Sequence, residues 1–423
     1  MLTDIETKFA QSLSAKEVAK HNEFLASVGP RYVAAEGEIK VMDYMAEKFA
    51  EYGMEVAFDE FKALAFEPKE VELKVTAPME MELEAGAIFF SEPTPGLTGE
   101  LVFVGNGDDT DYEGIDVSGR IALVETDVNA PKGALYQDIS RAAKHGAKAI
   151  VFVHFEPRLQ ILMAETGYFG LEKRLLPIEP HPIPAVCTRS DHWHQAVRLA
   201  AGQPIHVSIK VDAISEERMT KNVRGILKGT EQPDRKVLLI AHRDTVSSPG
   251  VSDNGSGQVI LLEIARVLSQ YTPKRTVEFV SLGAGEVLGC VGSWTYVDLH
   301  QDELSQIDAV INLDAVGMGS HLRIVTEGYW LDYGPMKTTE WLNDAIAQAA
   351  DDLNYSISYT PCILGLSDAT PFLHHDVPAA WLWKFDDPFW HSPLDDAMHV
   401  DPNSFKVTSE IVGLTTLRLA NKD

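Results

Sequence analysis

The sequence predicts an α/β fold with a mostly parallel central sheet flanked by helices, and two observations carry this prediction. The C-terminal half contains short, nearly continuous apolar runs, as expected for strands that are buried on both faces of a parallel sheet. Apolar residues at helical spacing fill the segments between these runs, and such alternation is typical of parallel sheets. The predicted strands are residues 236–241, 276–282, 309–313 and 379–383, and the predicted helices are residues 256–268 and 341–353.

The N-terminal segment is predicted to be helical over residues 15–52. Val41, Met45 and Phe49 recur at helical spacing with charged residues between them, which indicates one apolar helix face. Gly53 is expected to end this helix because glycine favours the conformation in which helices terminate. The residues that follow alternate between apolar and polar, as in a half-buried strand.

A change in composition then marks a second, smaller unit. Residues 91–114 are rich in glycine, proline and aspartate, which favours turns. Short apolar runs follow at residues 121–124 and 149–153, with a helical pattern between them. A chain of 423 residues is long enough for more than one unit. The predicted division is a main domain of residues 1–75 and 214–423 with an inserted α+β domain of residues 76–213.

Composition restricts the partners of the chain. It has 63 acidic and 36 basic side chains and a formal net charge of −27, which disfavours nucleic acid and anionic membrane surfaces. No signal-peptide pattern or apolar run of membrane-spanning length is visible. The three cysteines lack metal-site spacing and are expected to be buried thiols. We therefore expect a cytoplasmic protein, and a homodimer, since homodimers are common among soluble proteins.

The predicted strands of the C-terminal half are each followed by a residue that can bind a metal ion. The carboxyl ends of parallel strands meet at one edge of a sheet, where sites form. Imidazole nitrogen and carboxylate oxygen suit hydrolytic Zn²⁺, Mn²⁺ or Co²⁺, and a cluster of buried carboxylates needs cations to neutralise it. The candidate metal ligands are His242, Asp253, Glu286, Asp314 and His391.

Each of these residues alone has an ordinary structural explanation, and their coincidence at successive strand ends favours a metal site. Other polar groups are given structural roles. His374–His375 is interpreted as a surface or core pair. Neighbouring aspartates are interpreted as solvated or capping groups, at residues 351–352, 386–387 and 395–396.

The segments that carry these residues resemble the signature segments of the M28 family of metallo-aminopeptidases, in the same order. They are AHRDTVSSPGVSDNGSG, FVSLGAGEVLGCVGS, INLDAVG, SDATPF and WHSPLDD. The insert resembles a protease-associated (PA) domain through the stretches IDVSGRIALV, HGAKAIVF and IPAVCT. Together these resemblances cover nearly the whole chain.

The M28 resemblance implies a set of roles. His242, Asp314 and Asp253 would hold one metal ion, and Asp253 would bridge to a second ion that is also held by His391. Asp244 would orient the imidazole of His242. The resemblance further implies a cis peptide bond after the bridging aspartate, and one or two zinc ions per chain, with Co²⁺ or Mn²⁺ as alternatives.

The chain departs from the family at one place. The family has two consecutive glutamates after the second site strand, the first a general base and the second a metal ligand, whereas this chain has only Glu286. Counted from the strand, Glu286 takes the ligand position and Gly285 the base position. Counted back from Gly289, Glu286 takes the base position and Val287 the ligand position, which requires a one-residue bulge. Both assignments stay open, and we favour Glu286 as the base.

The expected function is removal of N-terminal residues from peptides with a free N-terminus, with Glu286 as general base. Trp383, Phe389 and Trp390 are expected to form part of the substrate pocket. A dipeptidase or carboxypeptidase of similar metal chemistry is an alternative, and so is an inactive binding or scaffold protein with this fold. A serine hydrolase is disfavoured because no G-x-S-x-G motif is present. A glutaminyl-cyclase-like activity is disfavoured because it relies on the uncertain glutamate ligand.

Overall fold

The structure is a computed structural model, and its central feature is one long mixed sheet. It describes residues 2–126, 134–154, 181–246, 248–286, 289–319, 321–330, 334–362, 365, 367–384 and 387–422. The strands are β1 (Glu55–Ala77), β2 (Met81–Leu83), β3 (Ala85–Ala87), β4 (Thr94–Phe103), β5 (Ile121–Thr126), β6 (Ala149–His154), β7 (Ala185–Thr188), β8 (His206–Leu227), β9 (Gln232–His242), β10 (Arg275–Leu282), β11 (Ile307–Leu313), β12 (Arg323–Trp330), β13 (Gly334–Lys337), β14 (Ser358–Cys362) and β15 (Ala379–Trp383).

The centre of the sheet is parallel, as predicted. Strands β15, β11, β9 and β10 lie side by side in that order and are all parallel to one another. Apart from the first five residues of β9, these strands are almost completely buried, which explains their continuous apolar character. Antiparallel strands β8 and β12 flank this group, so the predicted α/β class is confirmed.

Helices cover both faces of this sheet. The helices are α1 (Asp4–Ser12), α2 (Ala15–Val28), α3 (Glu36–Glu51), α4 (Ala134–Lys144), α5 (Ser190–Ala200), α6 (Gly255–Leu268), α7 (Val291–Leu299), α8 (Glu340–Asp352), α9 (Thr370–His374) and α10 (Pro402–Ala420). Helices α1, α2, α3, α6, α8 and α10 share one apolar core with the sheet, and α7 and α9 share the core on the opposite face. No helix among the described residues is both long and apolar enough to cross a membrane.

The predicted helix over residues 15–52 is wrong in one respect, because the structure divides it into α2 and α3. Gly29 ends α2 with a φ of 78°, and proline follows at position 30, which cannot continue a helix interior. The connection between the two helices carries Arg31, whose side chain is completely buried.

Strands β1 and β8 form an antiparallel ribbon that is much longer than the sequence pattern suggested. Their pairing runs from Glu55↔Ile226 to Ala77↔His206. At one end β8 pairs with β10 of the central sheet, and at the other end it pairs with β4. Strands β4, β5, β6, β7 and β3 then continue the sheet over a separate apolar core. The strands run without interruption through both predicted boundaries, and the domain division itself stays a prediction.

Candidate metal centre

The five predicted ligands come from loops at the carboxyl ends of the central parallel strands. His242 is the last residue of β9, and Asp314 directly follows β11. Glu286 lies in the loop after β10, and His391 lies in the loop after β15. Asp253 lies just before α6, whose N-cap is Asn254, and the peptide bond between these two residues is cis, as the family resemblance implies.

Asp253 lies between the two histidines and presents one oxygen to each. Its Oδ1 is 3.4 Å from Nε2 of His242, and its Oδ2 is 3.0 Å from Nε2 of His391. Asp314 joins the first histidine, with Oδ1 3.3 Å from Nε2 of His242. The residues that the resemblance assigned to two metal ions are thus brought together as two half-sites that share Asp253.

Glu286 also reaches both histidines. Its Oε1 is 2.5 Å from Nε2 of His391, and its Oε2 is 3.4 Å from Nε2 of His242. Its side chain is nearly buried, with 10% exposed. Among the described carboxylates, Glu286 and Asp253 are the two that bridge the half-sites, so the position of Glu286 is compatible with either role left open above.

Gly285 occupies a place where a side chain does not fit. A Cβ atom built on this residue would lie 2.4 Å from Cβ of His242 and 3.2 Å from Oδ2 of Asp368. No Cβ atom tolerates the first of these distances, so the backbone here requires glycine. A glutamate at this position would displace the imidazole that it was meant to assist. Val287, the other candidate position, lies outside the described residues.

Asp244 connects the His242 loop to the Glu286 loop. Nδ1 of His242 is 3.1 Å from the backbone carbonyl oxygen of Asp244 and 3.7 Å from its Oδ1. The carboxylate of Asp244 accepts the backbone N–H groups of Gly285, at 2.8 Å, and of Glu286, at 3.1 Å. Asp244 therefore contacts the imidazole, as predicted, and also fixes the backbone from which Glu286 projects.

The donor set fits a metal ion. One ligand atom each from His242, Asp253 and Glu286 lie within 4.8 Å of one another. Oδ1 of Asp253 and Nε2 of His391 are buried, and although charged groups lie 2.5 to 3.4 Å from them, none of these contacts has the geometry of a hydrogen bond. Such orphaned atoms are costly in a protein interior, and two imidazoles with three carboxylates are typical ligands for zinc.

The electrostatics show how strongly the site favours positive charge. Burial alone lowers the pKa of His391, but Glu286 and Asp253 raise it to about 10. The pKa of His242 is likewise raised well above its usual range, mainly by Asp314, against the effect of burial. Burial and the charge of Asp253 raise the pKa of Glu286 to about 7. The carboxylate charge that causes these shifts would equally attract a metal cation.

The interpretation of Asp395 as a solvated or capping carboxylate is wrong. Its side chain is fully buried, and its two oxygens accept the backbone N–H groups of Ser252, at 2.6 Å, and Asp253, at 2.9 Å. It holds the loop that presents the bridging aspartate. Its neighbour Asp396 accepts the N–H of Met398 at 2.8 Å, so the capping role holds there.

Arg31, which no pattern marked, supports the loops of the centre from the other side. Its guanidinium donates to the carbonyl oxygens of Arg243 at 2.6 Å, Pro249 at 2.6 Å and Gly250 at 2.8 Å. The segment between α2 and α3 thereby holds the single loop that joins β9 to α6, in which Asp253 lies. A fully buried arginine is rare, but its sequence neighbours show no signal that would reveal this role.

The SDATPF segment supports the site through two adjacent residues. Ser367 donates its hydroxyl to Oδ2 of Asp314 at 2.5 Å and accepts from the Asn312 side chain at 3.0 Å. Asp368 is fully buried and accepts from the Ser293 hydroxyl at 2.6 Å. Burial raises the pKa of Asp368 to about 6. The segment was part of the family signature, but the sequence alone assigned no role to either residue.

The predicted pocket aromatics do not share one location. Trp390 stacks on the ring of His391, with ring centroids 3.7 Å apart, and lies edge-on to Trp383. Phe389 packs instead against the ring of His399 and lines a different cavity. Trp383 and Trp390 thus remain candidates for a pocket wall beside the metal centre. The His374 and His375 rings lie edge-on to Trp294, apart from the site, as expected.

Comparison with known proteins agrees with this geometry. Residues 222–416 match the model of peptidase family M28. The aminopeptidase YwaD of Bacillus subtilis is 26% identical over 417 residues, which cover 94% of this chain and 83% of that protein. Leucine aminopeptidase 2 of Trichophyton rubrum is 30% identical over 310 residues, which cover 71% of this chain and 58% of that protein.

Solved structures give the same result over the full length. The zinc aminopeptidase BSAP from Bacillus subtilis superimposes with a TM-score of 0.75 at 25% identity and covers 97% of this chain and 96% of its own. An aminopeptidase from Aneurinibacillus sp. strain AM-1 gives a TM-score of 0.71 at 26% identity, with 98% and 96% coverage. Residues 222–416, which carry all five predicted ligands, therefore form a domain of peptidase family M28.

Proposed function

We propose that the chain is a metal-dependent aminopeptidase that removes N-terminal residues from peptides. The observation that carries the proposal is the convergence of two imidazoles and three carboxylates from four strand ends and one helix start, with donor atoms 2.5 to 3.4 Å apart. The relatives named above as aminopeptidases support the same reaction.

We further propose that the ions are two zinc ions. His242 and Asp314 would hold one ion, His391 would hold the other, and Asp253 would bridge them with one oxygen for each. When bound, zinc supplies Lewis acidity toward the scissile carbonyl and toward water. The structurally similar BSAP is a zinc aminopeptidase, and the nitrogen and oxygen ligand set suits the same metal here.

The remaining chemistry belongs to the side chains. Glu286 accepts the proton of the attacking water and returns it to the nitrogen of the leaving amine. Its carboxylate lies between the two histidines, which is the position from which both half-sites are within reach. The negative charge of the cluster attracts a free α-ammonium group, and this favours a substrate with an unblocked N-terminus over an internal peptide bond.

The first test is a mass-spectrometric digest of a mixed peptide pool, half with free and half with acetylated N-termini, with Zn²⁺ or Co²⁺ and with a chelator control. We expect stepwise loss of N-terminal residues from the free peptides alone, abolished by the chelator. Loss of C-terminal residues from both pools would indicate a carboxypeptidase. No cleavage with either metal would reject the enzymatic proposal and favour the binding-protein alternative.

The role of Glu286 is tested separately with Glu286→Gln. If Glu286 is the base, kcat falls by about 10²–10⁴-fold while the metal content stays at the wild-type level. If Glu286 is chiefly a ligand, the variant loses metal in proportion to activity. Elemental analysis of the purified protein distinguishes the two results. Glu113→Gln, at an exposed residue, is the control and should retain both activity and metal.

A further inference from the structure

A cavity whose wall contacts the loops of the metal centre contains a buried lysine. The cavity has a volume of about 600 Å³, within the range of small-molecule pockets. It lies between the residues that follow β11, the end of β15 and the first turns of α10. Its described lining includes none of the five predicted metal ligands. The residues of the lining on which the proposal rests are Met318, Leu322, Lys384, Phe389 and Val407.

Lys384 forms no ion pair with any carboxylate that the structure describes. Only 4% of its surface is exposed, and its ammonium group contacts the hydroxyl of Ser404. No carboxylate oxygen among the described residues lies within 4.0 Å of its Nζ. The more distant Asp401 and Asp387 raise its pKa, but burial outweighs them and lowers it to about 8. A buried cation without a counter-ion is costly, so an anion that enters the cavity would gain a strong partner.

The walls determine what kind of anion fits. Met318, Leu322, Phe389 and Val407 give the cavity an apolar side, whereas Lys384 is the one lysine or arginine in its described lining. Phosphate sites usually combine several cations or several N–H donors. One cation with an apolar wall suits a single carboxylate that carries a hydrocarbon body.

We propose that this cavity binds a small amphipathic carboxylate. The carboxylate group pairs with Lys384, and the apolar body packs on Met318, Leu322 and Phe389. The first turn of α10 is also part of the cavity wall, and its N-terminus is already capped by Asp401, whose carboxylate accepts the N–H of Asn403 at 2.9 Å, so Lys384 is the group that attracts the anion.

The cavity shares its wall with the metal centre. The backbone N–H of Met318 donates to the hydroxyl of Ser252 at 3.1 Å, and Ser252 immediately precedes the bridging Asp253. Phe389 lies two residues before His391 in the same loop. A bound carboxylate therefore contacts residues that position one bridging ligand and one histidine.

The test is isothermal titration of the metal-loaded protein with 4-methylpentanoate, alongside 4-methylpentanamide and inorganic phosphate. The wild type should bind 4-methylpentanoate at least tenfold more tightly than either other probe. Lys384→Met should weaken this binding at least tenfold. Lys228→Met, which removes the same charge at an exposed residue, should leave it unchanged. Carboxylate that binds to the metal ions instead would bind equally to the wild type, Lys384→Met and Lys228→Met. This binding can therefore be told apart from binding in the cavity.

A second variant guards against misfolding of the first. Val407→Trp fills the cavity and keeps the lysine, so it should also abolish binding of 4-methylpentanoate. Lys384→Met should melt no lower than the wild type, because a buried unpaired charge is replaced by an apolar chain of similar length. Equal binding by wild type and both variants would overturn the proposal, as would equally tight binding of the amide or of phosphate.

Discussion

The carboxylate of Asp395 fixes the backbone that presents the bridging Asp253, because it accepts the two successive N–H groups of Ser252 and Asp253. Each oxygen of Asp395 is engaged by one of these backbone N–H groups. Its effect on metal binding is therefore exerted through the orientation of Asp253, which must direct one oxygen to each histidine.

Asp395→Asn should weaken metal binding. The amide retains one acceptor oxygen, but its NH₂ group faces an N–H donor and cannot accept from it. Loss of such a supporting contact typically costs about 10–100-fold in metal affinity, and we expect a loss in that range by competition with a chromogenic chelator. Asp396→Asn at the next residue is the matched control and should bind metal normally. Equal affinities for the two variants would contradict the role assigned to Asp395.

Gly285→Glu should not rescue the missing glutamate of the family pattern. A side chain at this position collides with Cβ of His242, so the variant should displace that imidazole. We expect at least a tenfold loss of activity together with loss of bound metal. Activity above that of the wild type, with metal retained, would show that the loop can accommodate the family arrangement after all.

The candidate site was predictable from sequence to the extent that its residues follow recognisable strands. His242 and Asp314 come directly after apolar runs, so their convergence follows from the parallel sheet. Glu286 was predictable as a site residue but not in its role, because counting from the strand and counting back from Gly289 place it at positions that differ by one residue. Asp395 and Arg31 were not predictable, because their partners are backbone groups that carry no sequence signature.

At the scale of elements, the connection between α2 and α3 holds the loop between β9 and α6, which carries Asp253. Arg31→Met leaves three carbonyl oxygens, two of them fully buried, without their donor and should lower the free energy of unfolding by roughly 3 kcal/mol. Urea denaturation measures this value. Arg198→Met, at an exposed position on α5, should change it by less than about 0.5 kcal/mol. A similarly small change for Arg31→Met would mean that water replaces the guanidinium without cost.

The ribbon of β1 and β8 shows why some elements escape sequence reasoning. The register of the pair shifts between Pro68 and Glu70, and proline inside a strand normally argues against that assignment. Long-range pairing overrides this local signal. The central strands β9, β10 and β11 were easier to predict because burial on both faces leaves a continuous apolar run.

At the scale of the whole molecule, stability should fall as the medium becomes mildly acidic. His21 of α2 is buried, with its ring nitrogens 2.7 and 3.3 Å from the hydroxyls of Tyr44 and Tyr52. Burial lowers the pKa of His21 to about 4. Burial also lowers the pKa of His181, just before β7, to about 4. As pH falls, the unfolded chain takes up these protons first. Stability from this source is complete above pH 6.5 and is lost between pH 6.5 and 4.

His21→Gln isolates one of these contributions. Because His21 stays uncharged in the folded protein at pH 5, the free energy of unfolding of the wild type should be about 2 kcal/mol lower there than at neutral pH from this residue alone. The variant should not show this part of the decrease in stability. Unfolding free energies at pH 7.5 and 5 measure the difference. His194→Gln, at an exposed residue, should follow the wild type. Parallel curves for the wild type and His21→Gln would reject the assignment.

The family, the fold class and the enzyme class predicted from the sequence are confirmed. The cytoplasmic location, the homodimer and the PA-like nature of the insert stay predictions. These properties depend on surfaces or on cellular context, which the pattern of strands and ligands does not encode.

The ribbon also determines what a change in the length of the insert would do to the rest of the chain. Phe61 and Thr220 are cross-strand partners, so the path through all the intervening residues begins and ends at neighbouring points. Adding or deleting residues between Phe61 and Thr220 therefore leaves the distance between the two flanking peptidase segments unchanged. A shortened chain that closes the ribbon after Phe66 with a tight turn to Ser215, its partner, would keep the register of both strands, but Val246 and Ala284 in the loops after β9 and β10 would lose the apolar core on which they pack.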